Sequence, residues 1–188
     1  MLEKINDIQK ALNNDCYLSA LALALTLPDI CGMIAYPNLL NNRGKRQVGK
    51  QYARWFDEWV NQYYADPEGW NDDYSQAINP YFTGQMCYQL RCKFLHEGHP
   101  NIDPWGQEDD GHKLYQYSFE LSVGGADLKS KSWSPNDLFN GKVKERHLVS
   151  IDIEKLCESI CLAAQTYYDQ TEKRKFKQST IKYVNFKR

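Results

Sequence analysis

The stretch YQLRCKFLHEG, Tyr88 to Gly98, decides how this chain is read. It sets Arg91 and His96, with four residues between them, on a segment patterned as a helix ending at Gly98. At about 100° per residue, Met86, Cys87, Leu90 and Phe94 gather on one side, the stripe that faces a core. Tyr88, Cys92 and Leu95 fall on the other side, flanked by Arg91 and His96, which lie about 140° apart. This second stripe is semi-polar and looks away from the protomer's own core, so the pair does not close on itself within one helix. Two copies of the face meeting across a two-fold axis would each give one Arg and one His to a shared cleft. Gly98 suits the position just past a helix end. His96 then lies in the last turn, where the helix dipole favours positive charge. An imidazole that titrates near neutral pH is a proton-transfer group, and a guanidinium beside it can hold charge on phosphoryl oxygens.

On the N-terminal side, Leu2, Ile5, Ile8 and Leu12 recur at helical spacing and predict a short amphipathic helix, Leu2 to Leu12. Asp15 is placed to cap a second helix, Cys16 to Leu27, apolar on nearly every side and so central to a bundle. Pro28 ends or kinks it, with Asp29 to Met33 continuing for a turn. A basic loop from Asn38 leads to a third helix, Gln47 to Tyr64, on which Val48, Tyr52, Trp55, Phe56, Trp59 and Tyr63 form a bulky stripe read as core. Asp66 to Asn79 is a polar loop, and Thr83 is a suitable N-cap for the motif helix.

Past Gly98 the period changes. Tyr115, Tyr117, Phe119, Leu121 and Val123 alternate with polar residues over Lys113 to Val123, the mark of a half-buried strand. His147, Val149, Ile151 and Ile153 repeat that alternation, so the two strands are expected to pair antiparallel, with Gly124 to Glu145 as a long connection. Asp152 then caps a last helix reaching about Thr171, with Leu156, Ile160, Ala163, Ala164 and Tyr167 inside. The expected fold is mainly α: a helical bundle over residues 1–172 with a two-stranded antiparallel β element inserted at about 99–152, before the C-terminal helix. A basic tail, 173–188, follows.

The 188 residues suffice for one domain with a real core. The net charge of -1 carries no global polyanion signature. Local charge is uneven. Asn41 to Lys50 holds Arg43, Lys45, Arg46 and Lys50, and after Glu172 the chain carries Lys173, Arg174, Lys175 and further cations with no acid. Interleaved with Phe176, Tyr183 and Phe186, these residues suit a nucleic-acid backbone and its bases. For the tail, a solvated helix end and frayed terminus is the simpler account.

The six cysteines show no C-x-x-C pair and no zinc-finger spacing, which fits buried thiols in a reducing cytoplasm. The apolar run Tyr17 to Leu27 is too short to span a bilayer. Glu3, Asp7 and Asp15 before it argue against a signal peptide, so a soluble cytoplasmic protein is expected. His96, Glu97, His99, Asp103, Asp109, Asp110 and His112 cluster in sequence, but HEGH lacks the HExxH spacing, and Gly98 and Pro100 interrupt the helix. Neither a metal nor a cofactor is expected.

With Leu95 before the His, Gly98 after it and the earlier segment ALTLPDICG (Ala24 to Gly32), the motif resembles the HEPN superfamily of higher-eukaryote and prokaryote nucleotide-binding domains, over roughly Cys16 to Gly98 and the C-terminal helix. The resemblance implies a small helical bundle that dimerises through the motif helix. It also implies metal-independent endoribonuclease activity, of the kind found in toxins and in defence against phage, with Arg91 and His96 catalytic and RNA as substrate. An antitoxin or other partner protein is part of that expectation. Active members often carry a polar residue directly after the Arg, where this chain has Cys92. Tyr88 either places a hydroxyl in the shared cleft or packs across the dimer, packing being the simpler account. Asp29 either orients the Arg or His or, as is commoner for Asp at a helix restart, caps locally. A metal-independent ribonuclease, a non-catalytic RNA- or nucleotide-binding module acting through a partner, and a structural dimerisation protein are the three classes this pattern allows.

Overall fold

A computed structural model describes residues 1–64, 82–97, 105–109, 113–125, 127–139 and 141–179. Six α-helices and a four-stranded sheet make up these residues: α1 Leu2–Leu12, α2 Tyr17–Ala24, α3 Leu27–Ala35, α4 Val48–Trp59, α5 Gly84–Glu97 and α6 Ile153–Gln170, with β1 Trp105–Asp109, β2 Lys113–Ser122, β3 Leu128–Phe139 and β4 Lys142–Asp152 lying between α5 and α6. The polar loop expected over Asp66 to Asn79 and the expected helix end at Gly98 lie outside the described residues.

The helical periodicities translate directly into burial. Of the α1 stripe, Ile5 and Ile8 are buried, Leu12 is half-buried and Leu2, in the first turn, is exposed, while Leu156, Ile160, Ala163, Ala164 and Tyr167 of α6 are buried as their spacing predicts. Tyr52, Trp55 and Phe56 of α4 are fully buried, each worth about 1.5–3 kcal/mol relative to exposure. They build an aromatic core in which Trp55 meets Tyr167 edge-on at 6.0 Å and Phe56 meets Phe82 at 5.7 Å. The stripe departs from expectation at its end. Helix α4 tightens into a 3₁₀ turn, Asn61–Tyr64, which rotates Tyr64 inward and leaves Tyr63 exposed.

The break between the second and third helices comes at Leu25 and Thr26 rather than at Pro28. Proline is tolerated in the first turn of a helix, and Pro28 occupies that turn of α3. Asp15 does not cap α2: it adopts a left-handed φ of 56° and accepts a hydrogen bond from the Tyr17 hydroxyl at 2.7 Å. Tyr17–Ala35 forms one apolar stretch that is long enough, by length and composition, to cross a membrane, longer than the run the sequence suggests. In the bundle it is interrupted by a turn at Leu25 and Thr26, and Ala20, Leu21, Ala24, Leu25, Leu27 and Cys31 are buried in the core.

The sheet corrects the expected topology. Its strand order is β1-β2-β4-β3, and β2 and β4, expected to be an antiparallel pair, run parallel, from Lys113 opposite Val143 to Ser122 opposite Asp152. The physical reason is an additional strand. Within the presumed connection lies β3, which reverses the chain and pairs antiparallel with the far edge of β4, leaving β2 and β4 pointing the same way. Two-residue alternation specifies a half-buried strand but not its direction.

Asp152 joins the sheet to the bundle. It is the last residue of β4 and caps α6 by accepting from Lys155 N at 3.0 Å, and its other oxygen accepts from Gly125 N at 2.8 Å. The Asp127 carboxylate in turn accepts from Asp152 N at 2.6 Å.

Residues beyond α6 do not begin as a free tail. Lys173–Ser179 form a 3₁₀ helix whose Phe176 is buried against Tyr167 and Tyr168, while Lys173 pairs with Asp169 at 3.4 Å and Arg174 with Glu172 at 2.5 Å. Of the cysteines, Cys31, Cys87, Cys157 and Cys161 are buried, Cys92 is half-buried and Cys16 is exposed.

Candidate functional site

Helix α5 begins under tight restraint. Thr83 Oγ1 accepts from Met86 N at 3.3 Å, the capping its sequence position suggests, and Asp57 of α4 accepts from Gly84 N at 2.6 Å. Burial raises the Asp57 pKa, and the Gly84 amide opposes that shift. The two helices approach closely at glycines: a Cβ on Gly84 would fall 2.1 Å from the Ala53 carbonyl oxygen, and one on Gly49 would fall 2.8 Å from the Tyr88 ring. Met86, Cys87 and Leu90 therefore enter the core, as the sequence stripe predicts, and Phe94 is partly buried against it.

The opposite stripe of α5 is not simply turned to solvent. Tyr88 packs its ring at 5.4 Å from that of Tyr52 on α4. Burial, followed by the neighbouring Cys92, holds the Tyr88 hydroxyl above its ordinary titration range. Within its own protomer Tyr88 therefore packs against α4, and its ring stays half-buried. One turn along the helix, Arg91 turns toward α3, where its Nη2 lies 3.6 Å from Asp29 Oδ2. Its Nη1 stands 4.0 Å from Cys92 Sγ, and its guanidinium carbon lies 6.0 Å from the Tyr88 ring centre. Arg91 Nε is buried and makes no hydrogen bond among the described residues.

The favoured reading of Asp29 as a local cap is corrected. Asp29 lies in the first turn of α3, yet its carboxylate serves two guanidinium groups from elsewhere in the chain. Besides Arg91, Arg46 Nη2 donates to Asp29 Oδ1 at 2.7 Å. Arg46 is braced from behind, because its Nε donates to Gln51 Oε1 at 2.6 Å and the fully buried Gln51 donates through Nε2 to the Tyr36 carbonyl at 2.6 Å. The three charged side chains are 33% (Arg46), 26% (Asp29) and 19% (Arg91) exposed. With two cations on one anion, the cluster keeps a net positive charge at a surface that solvent still reaches.

A small hairpin presents Arg46. Leu40 and Arg46 form a single antiparallel bridge. Asn41 Oδ1 accepts from the amides of Arg43 and Lys45, and Gly44 takes the left-handed φ of 71° that the reversal needs. Arg43 and Lys45 remain exposed at the tip while Arg46 folds inward.

Asp29, Arg46, Tyr88, Arg91 and Cys92 therefore come together around the crossing of α3, α4 and α5. His96 does not join them: it stands exposed in the last turn of α5. Lys173, Arg174 and Lys175 lie apart, exposed on the 3₁₀ helix that follows α6. Sequence reasoning missed Gln51. The signal was there, because a Gln on the same helical face as Val48, Tyr52 and Trp55 is buried with that face and needs a partner.

Of the metal-reading residues, His99, Asp103, Asp110 and His112 lie outside the described residues. Among those described, no three His, Cys, Asp or Glu residues group as a metal ion would require. No family model matches the chain, and comparison with curated proteins and with solved structures finds no match either.

Proposed function

We propose that this chain is a metal-independent endoribonuclease of the HEPN type, cytoplasmic and acting as a homodimer through α5, in a toxin or phage-defence setting. The observation that carries the reading is the state of Arg91: a half-buried guanidinium held loosely by one carboxylate, in a cluster of net positive charge, five positions before an exposed His on the same helix. Such a group is preorganised to receive a phosphodiester without first losing its own hydration.

In the proposed reaction, the ribose 2′-oxygen attacks the adjacent phosphorus and gives its proton to a neutral His96 ring. The bond from phosphorus to the 5′-oxygen breaks, and a protonated His96 supplies the proton to the departing oxygen. Arg91 holds the charge that builds on the non-bridging oxygens. The nucleophile lies within the substrate, so no activated water is needed, and the products are a 2′,3′-cyclic phosphate and a 5′-hydroxyl. The exposed Arg43 and Lys45 would hold the RNA backbone beyond the scissile phosphate.

Incubating RNA with the purified protein in EDTA and determining the product ends tests this reaction. Cyclic phosphate ends are expected, and an EDTA-sensitive reaction leaving 3′-hydroxyl ends would refute the mechanism. A second reading, a non-catalytic RNA- or nucleotide-binding module acting through a partner, is favoured by the ion pair that Arg91 already makes with Asp29 and by Cys92 in the position after the Arg.

A further inference from the structure

We propose that Arg46 is a positioning residue for Arg91: by occupying Asp29 it prevents a close Arg91–Asp29 pair and keeps the Arg91 guanidinium available to an incoming phosphate. This deepens the ribonuclease reading and rests on it for the identity of the natural ligand, while the positioning itself concerns only three side chains.

The distances carry the argument. Arg46 meets Asp29 Oδ1 at 2.7 Å, the length of a charge-assisted hydrogen bond, whereas Arg91 stands at 3.6 Å from Oδ2, beyond one. A carboxylate can accept a forked pair from a single guanidinium, and Arg91 points its Nη2 toward this one while its Nε is buried and has no hydrogen-bond partner among the described residues. What separates the two is the prior claim of Arg46. That claim is fixed by the Gln51 brace on the other edge of the Arg46 fork and, through Gln51, by the Tyr36 carbonyl at the end of α3. Were Arg46 absent, Arg91 would be the one cation left on Asp29 among the described residues and would close into a tight forked pair, its charge spent within the protein. A lysine at position 46 would make the contact to Asp29 or the contact to Gln51, not both, because the ammonium lacks the planar fork.

The test follows the Nε–H resonance of Arg91 in the full chain, assigned by its loss in Arg91→Lys, during titration with inorganic phosphate. Phosphate is expected to shift the wild-type resonance, and Arg46→Ala to weaken that binding by about fivefold or more, the scale of one charge-assisted contact. The double variant Arg46→Ala/Asp29→Asn is expected to return to within about twofold of wild type, because the competing carboxylate is gone. Arg54→Ala removes an exposed charge of the same sign on α4, one that lies over the Tyr36 ring at 4.4 Å rather than on Asp29, and is expected to change the affinity less than about twofold. Equal losses in Arg46→Ala and Arg54→Ala would reduce Arg46 to a source of general positive potential and overturn the proposal. So would a double variant no better than Arg46→Ala, or a wild-type resonance that phosphate does not move. If Arg46→Ala fails to fold, Arg46→Gln carries the same expectations. The expected phosphate pattern in a protein that cleaves no RNA would sink the ribonuclease reading and leave the positioning role standing.

Discussion

Arg91 Nη2 faces Asp29 Oδ2 across the seam between α5 and α3 at 3.6 Å, with the other oxygen of that carboxylate, Oδ1, committed to Arg46 at 2.7 Å. The cluster depends on a side chain whose hydrogen bonds go to neither Asp29 nor Arg91. Gln51 is fully buried and spans the Arg46 fork and the Tyr36 carbonyl.

Gln51→Ala leaves the Tyr36 carbonyl and Arg46 Nε without their partner. The expected loss of stability is about 2 kcal/mol, the cost of unsatisfied polar groups rather than of a lost contact alone. Urea unfolding of the variant measures it, and faster amide exchange at Leu40 and Arg46 should accompany it as the hairpin loosens.

Gly32→Ala sets two effects of opposite sign against each other. Alanine gains about 1 kcal/mol over glycine inside a helix, but a Cβ at position 32 would sit 2.5 Å from the Gln51 carbonyl oxygen on α4, a backbone atom that cannot swing aside. Overpacking of this kind costs about 1–3 kcal/mol and here falls at the top of that range, so the variant is expected to be less stable than wild type by about 1–2 kcal/mol. A raised melting temperature would show that α3 and α4 can separate cheaply.

The helical half of the fold was legible because its signals are local. Leu2 to Leu12 and the last helix carry both periodicity and clear ends, and Asp152 caps where its position says it should. The sheet was half legible. The alternation in β2 and β4 is clean, but β3 contains Pro135 and no regular apolar period, so nothing local marks it as a strand, and without it the direction of β4 cannot be inferred. For the site, Arg91 and His96 stand out by spacing. The partnership of Asp29, Arg46 and Gln51 does not, because it joins positions on three separate elements, and only the packing of α3, α4 and the hairpin brings them together.

The buried thiols make stability sensitive to alkali. Burial pushes the Cys87 and Cys161 thiols up to about 12, and Cys31 and Cys157 higher still. A thiol in the unfolded chain ionises at about 8.5. Each folded pKa lies above the unfolded one, so this contribution to stability is fully present below about pH 8.5 and is lost as pH rises toward the folded values. The unfolding free energy in urea is expected to fall steadily from about pH 9 upward, with a shallower slope in Cys31→Ala. A profile that is flat to pH 11 would contradict the burial of these groups.

The most direct test of the central claim is cleavage of RNA by wild type, Arg91→Ala and His96→Ala, each alone and with the two variants mixed. Removing either group is expected to lower the rate by about 100-fold or more, the usual contribution of a positioned proton-transfer or charge-stabilising group. Mixing is expected to restore part of the activity, because a mixed dimer that takes Arg91 from one protomer and His96 from the other keeps one intact cleft. Cleavage that persists at the wild-type rate in both single variants would contradict the account.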